Sequence, residues 1–127
     1  MGTPGNAVPE TAIVYRAAAL ESWVKRGRLT YKAFRRRPKD EGLSVGLTPE
    51  LAVAGLSTNE GVAALAVSQI TSLNCGLTVN QVLEEPTKTE IFGVPPYGAD
   101  PDLVLTIASD LARIAGPVTQ LGEYTEE

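Results

Sequence analysis

Short blocks of apolar residues along the chain predict several β-strands. Residues 12–17 (AIVYRA) are rich in β-branched and aromatic side chains and predict the first strand. Residues 42–47 (GLSVGL) predict another, in which Ser44 points away from its two apolar neighbours, because side chains alternate between the faces of a strand. The small apolar run GVAALAV at 61–67 is typical of a strand buried on both faces, although a buried helix would have the same composition.

Two further strands are predicted in the second half of the chain, at residues 77–82 and 88–94. A corner at residues 84–86 (EEP) separates them, because proline and polar residues favour turns. The sheet is therefore expected to be mostly antiparallel, with strands joined by short connections.

The most regular helical pattern lies near the end of the chain. Asp100 suits the N-cap position and Pro101 the first helical position, while Gly116 and Pro117 end the pattern. The apolar stripe between them consists of Leu103, Val104, Ile107, Ala108, Leu111 and Ala112. We expect this helix to pack on the sheet.

Two shorter helices are predicted earlier in the chain. One begins at Thr48, which is followed by a proline and an acidic residue, and closes near Gly55. The other covers residues 18–26 and ends at Gly27. Trp23 of this segment is expected to be a core anchor, with stacking on a ligand as the alternative.

These elements predict one α+β domain over residues 12–118, with four to six mostly antiparallel strands and two or three helices packed on the sheet. A flexible tail at 1–11 and an acidic tail at 119–127 are expected to flank it. No apolar run approaches the length of about 18 residues that suggests a membrane span, and the first residues lack a signal-peptide pattern. With a single cysteine, the chain is expected to be cytoplasmic and to contact no membrane.

Charge is distributed unevenly along the 127 residues. Eight of the eleven cationic residues lie within residues 25–39. Residues 1–39 carry nine cations and two acids, a net charge of +7, whereas residues 40–127 carry two cations and thirteen acids, a net charge of −11. Such a chain can neutralise its own charges, bind an anionic partner, or pair with a second copy as a homo-oligomer.

The segment RRRPKD at 35–40 predicts a cationic loop, because Pro38 disfavours a helix. The preceding residues 29–34 alternate weakly and are predicted to be extended. Arg35, Arg36 and Arg37 are candidate phosphate ligands, since the planar guanidinium group offers several donors. A purely solvated loop is the alternative, and the acidic remainder of the chain argues against general nucleic-acid binding.

Several common chemistries are excluded by composition. The chain has no histidine, so it lacks Ser-His and Cys-His nucleophile pairs and histidine-ligated metals, and one cysteine cannot form a thiolate zinc cluster. No GxxxxGK(S/T) or GxGxxG phosphate motif is present. Any reaction would depend on carboxylates, hydroxyl groups, lysine or arginine, and no metal site is expected.

Glu90 is an unusual residue because it lies in the middle of the apolar strand KTEIFGV. An unpaired buried carboxylate is costly, so two environments are considered. Glu90 could face solvent on the polar side of an edge strand. Alternatively, it could be a pocket carboxylate that faces a ligand hydroxyl or Arg16.

The order of these motifs resembles that of a group of uncharacterised bacterial proteins. The resemblance covers most of residues 13–115 and depends on Ala33-Phe34, a charged loop, GLSV at 42–45, a corner at Pro86 and KTEI at 88–91. Those proteins have His-Ala-Glu-Ile at the last position. Lys88 replaces that histidine here, so any role of the histidine is not carried over.

A more remote resemblance is to the ADP-ribosyltransferase fold. That fold often opens with an arginine-bearing strand, then a helix ending in glycine, a serine-bearing strand and a later strand with the catalytic glutamate. The corresponding positions here are Arg16, LESWVKRGRL at 20–29, Ser44 and Glu90. The serine stands alone where the fold usually has Ser-Thr-Ser, and one acid lies near the last strand.

The resemblance implies that Arg16 contacts the phosphates of NAD, Ser44 shapes the nicotinamide pocket, and Glu90 is the catalytic residue. Arg35, Arg36 and Arg37 would lie near the phosphates. This hypothesis requires Arg16, Ser44 and Glu90 to line one pocket. The alternative is a non-enzymatic interaction module whose basic loop binds an acidic protein, an RNA or its own dimer mate.

Overall fold

The computed structural model describes residues 4–36, 42–56, 58–73, 76–95, 98 and 100–120. In this part of the chain, eight strands and three α-helices form a small α+β domain with antiparallel strand pairs, as predicted. The strands are β1 (Pro4–Ala7), β2 (Ile13–Ala17), β3 (Val24–Lys25), β4 (Arg28–Leu29), β5 (Gly42–Val45), β6 (Val62–Ala66), β7 (Thr78–Val82) and β8 (Thr89–Phe92). The helices are α1 (Pro49–Val53), α2 (Val67–Ser72) and α3 (Pro101–Ile114).

Four strands form the main sheet in the order β1-β7-β8-β5. Strand β8 is internal, and Leu43, Ile91 and Val79 lie side by side across β5, β8 and β7. Strand β2 pairs with β6 in a second, two-stranded sheet. Tyr15 of β2 exchanges two backbone hydrogen bonds with Gly46, which follows β5, so the second sheet is joined to the edge of the first.

The hydrophobic core is one cluster of buried side chains beneath the main sheet. Leu43 and Ile91 contribute from the sheet, and Ile107 and Leu111 contribute from α3. The predicted apolar stripe of α3 therefore supplies core residues, although Leu103 at its start is 45% exposed. The principal contact of α3 is a 3₁₀ turn at Tyr31–Phe34, while α1 and α2 contact strands.

Residues 18–26 form a 3₁₀ turn and a β-hairpin where the sequence predicts a helix. The 3₁₀ turn covers Glu21–Trp23, and β3 then pairs with β4 around Arg26 and Gly27. Both turn residues have positive φ angles, 56° and 77°, the geometry of a tight two-residue hairpin. The prediction of a helix over residues 18–26 is wrong. The spacing of the apolar residues in this segment is compatible with a helix, but it is also compatible with a 3₁₀ turn followed by a hairpin.

The segment 29–34, predicted to be extended, instead contains the 3₁₀ turn Tyr31–Phe34, which buries Ala33 and Phe34. The number of strands exceeds the predicted four to six. Two strands, β3 and β4, have two residues each and are too short to show a pattern in the sequence.

The beginning of the chain also differs from the expected flexible tail. Strand β1 pairs with β7, and Val8 joins the core at 7% exposure. This pairing joins residues far apart in the sequence, and PGNA has no strand-like pattern. Near the other end, Thr119 pairs with Val62, while residues 121–127 of the predicted acidic tail lie outside the described residues.

No helix in the described ranges is both long and apolar enough to cross a membrane.

Candidate functional site

Arg16, Ser44 and Glu90 line one groove of about 720 Å³. Ser44 and Glu90 are direct partners on β5 and β8, so their side chains project from the same face of the sheet. Arg16 reaches this face from β2, and its Nη1 donates a hydrogen bond to the backbone oxygen of Ser44 at 2.6 Å. The structure therefore brings together the three residues that the sequence analysis required to meet.

The side chain of Arg16 is fixed by contacts with three different segments. In addition to the bond to Ser44, its Nε donates to the carbonyl oxygen of Ala33 at 2.9 Å. Its guanidinium carbon lies 5.3 Å from the centre of the Trp23 ring, within the range of a cation–π contact. Arg16 thus holds β2, β5 and the two 3₁₀ turns together at the groove, and it brings positive charge to the groove wall.

Glu90 lies on an internal strand, since β8 is flanked by β7 and β5. The hypothesis that Glu90 lies on an edge strand is therefore wrong. The side chain is partly buried, and its Oε1 atom is shielded from solvent. Gly42 makes room for this carboxylate, because a Cβ atom at position 42 would lie 3.2 Å from Oε1.

Apolar side chains form the rest of the groove wall. Leu20, Leu51 and Leu56 line it although each is at least 40% exposed. Trp23 also lines it and packs against the core with part of its surface. The expectation for Trp23 as a core anchor is thus met only in part. The sequence gives no sign of this apolar wall, because its pattern predicts that LESW at 20–23 is part of a helix.

The arginines of the predicted basic loop differ in position. Arg35 lines the groove, and its guanidinium carbon lies 5.6 Å from the ring centre of Tyr31. Arg36 bonds through Nε to the carbonyl oxygen of Val94 at 2.5 Å. Arg37 lies outside the described residues. Of the three proposed phosphate ligands in this loop, the structure shows Arg35 at the groove.

Among the described residues, the groove lining combines one carboxylate with several cations. Glu90 lies among Arg16, Arg35 and Lys88, all of which line the groove. Within the described ranges, no three His, Cys, Asp or Glu side chains are grouped in a way that could hold a metal ion. The cationic side chains can therefore bind an anionic ligand. Glu90 can accept hydrogen bonds from hydroxyl groups of that ligand.

No protein-family model, no curated protein and no solved structure matches the chain. What the groove can bind is judged below from its own residues.

Proposed function

We propose that the groove binds NAD or a related nucleotide and that the chain is a small ADP-ribosyltransferase-like domain. The observation that supports this function is the convergence of Arg16, Ser44 and Glu90 in one groove. These residues come from three strands, β2, β5 and β8. The groove volume, about 720 Å³, lies within the range of small-ligand sites.

In this proposal, Glu90 supplies the carboxylate that the reaction requires. When the C–N glycosidic bond of NAD breaks, nicotinamide leaves with the bonding electrons and the ribose carbon becomes positively charged. The Glu90 carboxylate would accept hydrogen bonds from the ribose hydroxyls and stabilise that charge. An acceptor nucleophile then bonds to the ribose carbon and releases its proton to water. Gly42 leaves space for this carboxylate, because a side chain at position 42 would contact it.

In this proposal, the cationic residues of the groove bind the phosphate groups of the ligand. Arg35 lines the groove next to Tyr31, and Arg36 is the next residue in the chain. A pyrophosphate group is bound well by planar guanidinium donors. Arg16 contributes charge as well, but its bonds to Ala33 and Ser44 make it a structural residue, so its replacement would confound a binding test.

The test compares the wild-type chain with Glu90→Gln. Trp23 is the single tryptophan in the sequence and lines the groove, so its fluorescence should change when ligand binds. We expect NAD or ADP-ribose to raise the melting temperature and to alter this fluorescence, because a ligand that binds the folded state stabilises it. Glu90→Gln should weaken binding about tenfold, the effect of one lost charged hydrogen bond.

Glu60→Gln is the matched control. Glu60 is exposed and is not among the groove-lining residues, so the same chemical change there should leave nucleotide affinity unaltered. Absence of any response to NAD, ADP-ribose or AMP in both assays would contradict the proposal. The basic residues around Arg35 would then be better explained as a contact for an acidic partner.

A further inference from the structure

The backbone pairing between β2 and β5 stops after a single pair of residues. Tyr15 and Gly46 exchange two backbone hydrogen bonds, and this bridge is isolated. In antiparallel strands, hydrogen-bonded pairs recur at every second residue, so Ala17 and Ser44 would form the next pair. They are not paired, and both line the groove. The two residues of the bridge do not line it, so the groove begins where the pairing ends.

The N–H group of Ser44 points toward β2 and not toward β8. The carbonyl oxygen of Lys88, just before β8, accepts a hydrogen bond from the backbone nitrogen of Val82. Alternate residues from Lys88 onward, including Glu90, therefore bond toward β7. Glu90 is the partner of Ser44 on β8, so this pair is not hydrogen-bonded. The described residues include no acceptor for the Ser44 N–H group.

The carbonyl oxygen of Ser44 is bonded to a side chain. Nη1 of Arg16 donates to it at 2.6 Å, and Nε of the same guanidinium group donates to the carbonyl oxygen of Ala33 at 2.9 Å. In a continuous sheet, the N–H group of Ala17 would donate to the Ser44 oxygen. The guanidinium group therefore provides a hydrogen bond that the backbone of β2 would otherwise provide.

The residues that would pair are too small to keep the two strands apart. Ala17 would lie opposite Ser44, and Ala19 would lie opposite Gly42 at the next hydrogen-bonded position. None of these four residues has a bulky side chain. Arg16 is the long side chain of β2 that bonds to β5 at this point.

We propose that Arg16 is a positioning residue that acts as a spacer, which links β2 to β5 across the groove and prevents Ala17 from pairing with Ser44. Without the guanidinium group, the backbone groups of these two residues bond to each other, because buried peptide groups are nearly always paired. The two strand edges then close the part of the groove between them. The inference goes beyond the proposed function, because it concerns the shape of the groove and no particular ligand.

The test measures hydrogen exchange of single backbone amides by NMR, with no ligand present. In the wild-type chain, we expect Ser44 to exchange fast and Tyr15 and Gly46 to exchange slowly, because the latter two amides are hydrogen-bonded. Arg16→Met removes the donors and keeps a long side chain. In this variant, exchange of Ser44 should slow by about tenfold or more, the effect of one new hydrogen bond, while Tyr15 and Gly46 stay protected. Arg16→Gln, which is too short to reach both carbonyl oxygens, should give the same result.

Arg28→Met is the matched control. Arg28 also donates to a backbone carbonyl oxygen, that of Ala115 at 2.6 Å, and it does not line the groove. The same chemical change at this position should leave the exchange rate of Ser44 as it is in the wild-type chain.

Slower exchange at Ser44 is a result that a purely structural role of Arg16 would not give, because loss of a stabilising contact makes local opening easier and exchange faster. An unchanged rate at Ser44 in both Arg16 variants would mean that the gap has another cause and that the inference is wrong. If Tyr15 and Gly46 also lost protection, Arg16 would be required for the whole junction, and the spacer role would be wrong. None of these outcomes depends on whether the chain binds a nucleotide.

Discussion

Thr89 places a hydroxyl group inside the hydrophobic core. Its side chain is 1% exposed, and its Oγ1 has no hydrogen-bond partner among the described residues. An unsatisfied buried hydroxyl costs about 1–3 kcal/mol. We therefore expect Thr89→Val, which keeps the shape and removes the hydroxyl, to raise the free energy of unfolding by about 1 kcal/mol, measured by urea denaturation.

Thr78 provides the control for this substitution. It lies on the neighbouring strand β7 and is exposed, so Thr78→Val should change the free energy of unfolding by less than about 0.5 kcal/mol. A Thr89→Val variant that is less stable than the wild-type chain would show that the hydroxyl is bonded in solution, for example to a water molecule.

At the level of single residues, part of the candidate site could be predicted from the sequence. Ser44 and Glu90 stand out locally, one as a polar residue in an apolar strand and the other as an acid in an apolar strand. That they meet depends on the pairing of β5 with β8, whose residues are more than forty positions apart. Trp23 and the leucines of the groove wall, Leu20, Leu51 and Leu56, could not be assigned to the groove, because an apolar residue gives the same signal in a core and in a groove wall.

Gly46 is the point where three elements approach one another. It bonds to Tyr15 of β2, follows β5 and lies against α1. Because a Cβ atom would come within 2.3 Å of the nitrogen of Ala52, Gly46→Ala must displace main chain. We expect it to lower the free energy of unfolding by about 3 kcal/mol, measured by chemical denaturation.

Gly116→Ala is the control for Gly46→Ala. A Cβ atom at Gly116 would have its nearest contact at 3.7 Å, with the carbonyl oxygen of Ala64, an ordinary van der Waals distance. This variant should lose less than about 1 kcal/mol. Equal stabilities of the two variants would mean that α1 is not held closely against the junction of β2 and β5.

Helices α1 and α3, which have local start signals, were predicted correctly, as were the strands whose apolar runs can be seen in the sequence. Thr48 accepts a hydrogen bond from the backbone of Leu51 and begins α1, and Asp100 does the same for Leu103 at the start of α3. Strand β1 was missed because its support comes from β7, far along the chain. The hairpin was missed because its turn, Arg26 and Gly27, is also typical of a helix end.

At the scale of the whole molecule, arginines from the basic first part of the chain bond to backbone carbonyls in the acidic remainder. Arg16 donates to Ser44, Arg36 to Val94, and Arg28 to Ala115. These acceptors are uncharged, so the bonds depend on the position of each guanidinium group as well as on its charge. The sequence charge map predicts attraction between the two parts, but it cannot show that backbone oxygens are partners.

Arg28 allows the contribution of bond geometry to be separated from that of net charge. Its Nη2 donates to the carbonyl oxygen of Ala115 at 2.6 Å, joining the β3–β4 hairpin to the segment after α3. Arg28→Lys keeps the charge but loses the planar donor group, so we expect a loss of about 1 kcal/mol in the free energy of unfolding. The loss should be similar at low and high salt, because salt screens long-range charge attraction far more than a direct hydrogen bond.

Arg26→Lys, in the exposed hairpin turn, is the matched control and should leave stability unchanged. If Arg28→Lys were neutral while salt destabilised the wild-type chain strongly, charge attraction between the two parts would be what holds them together.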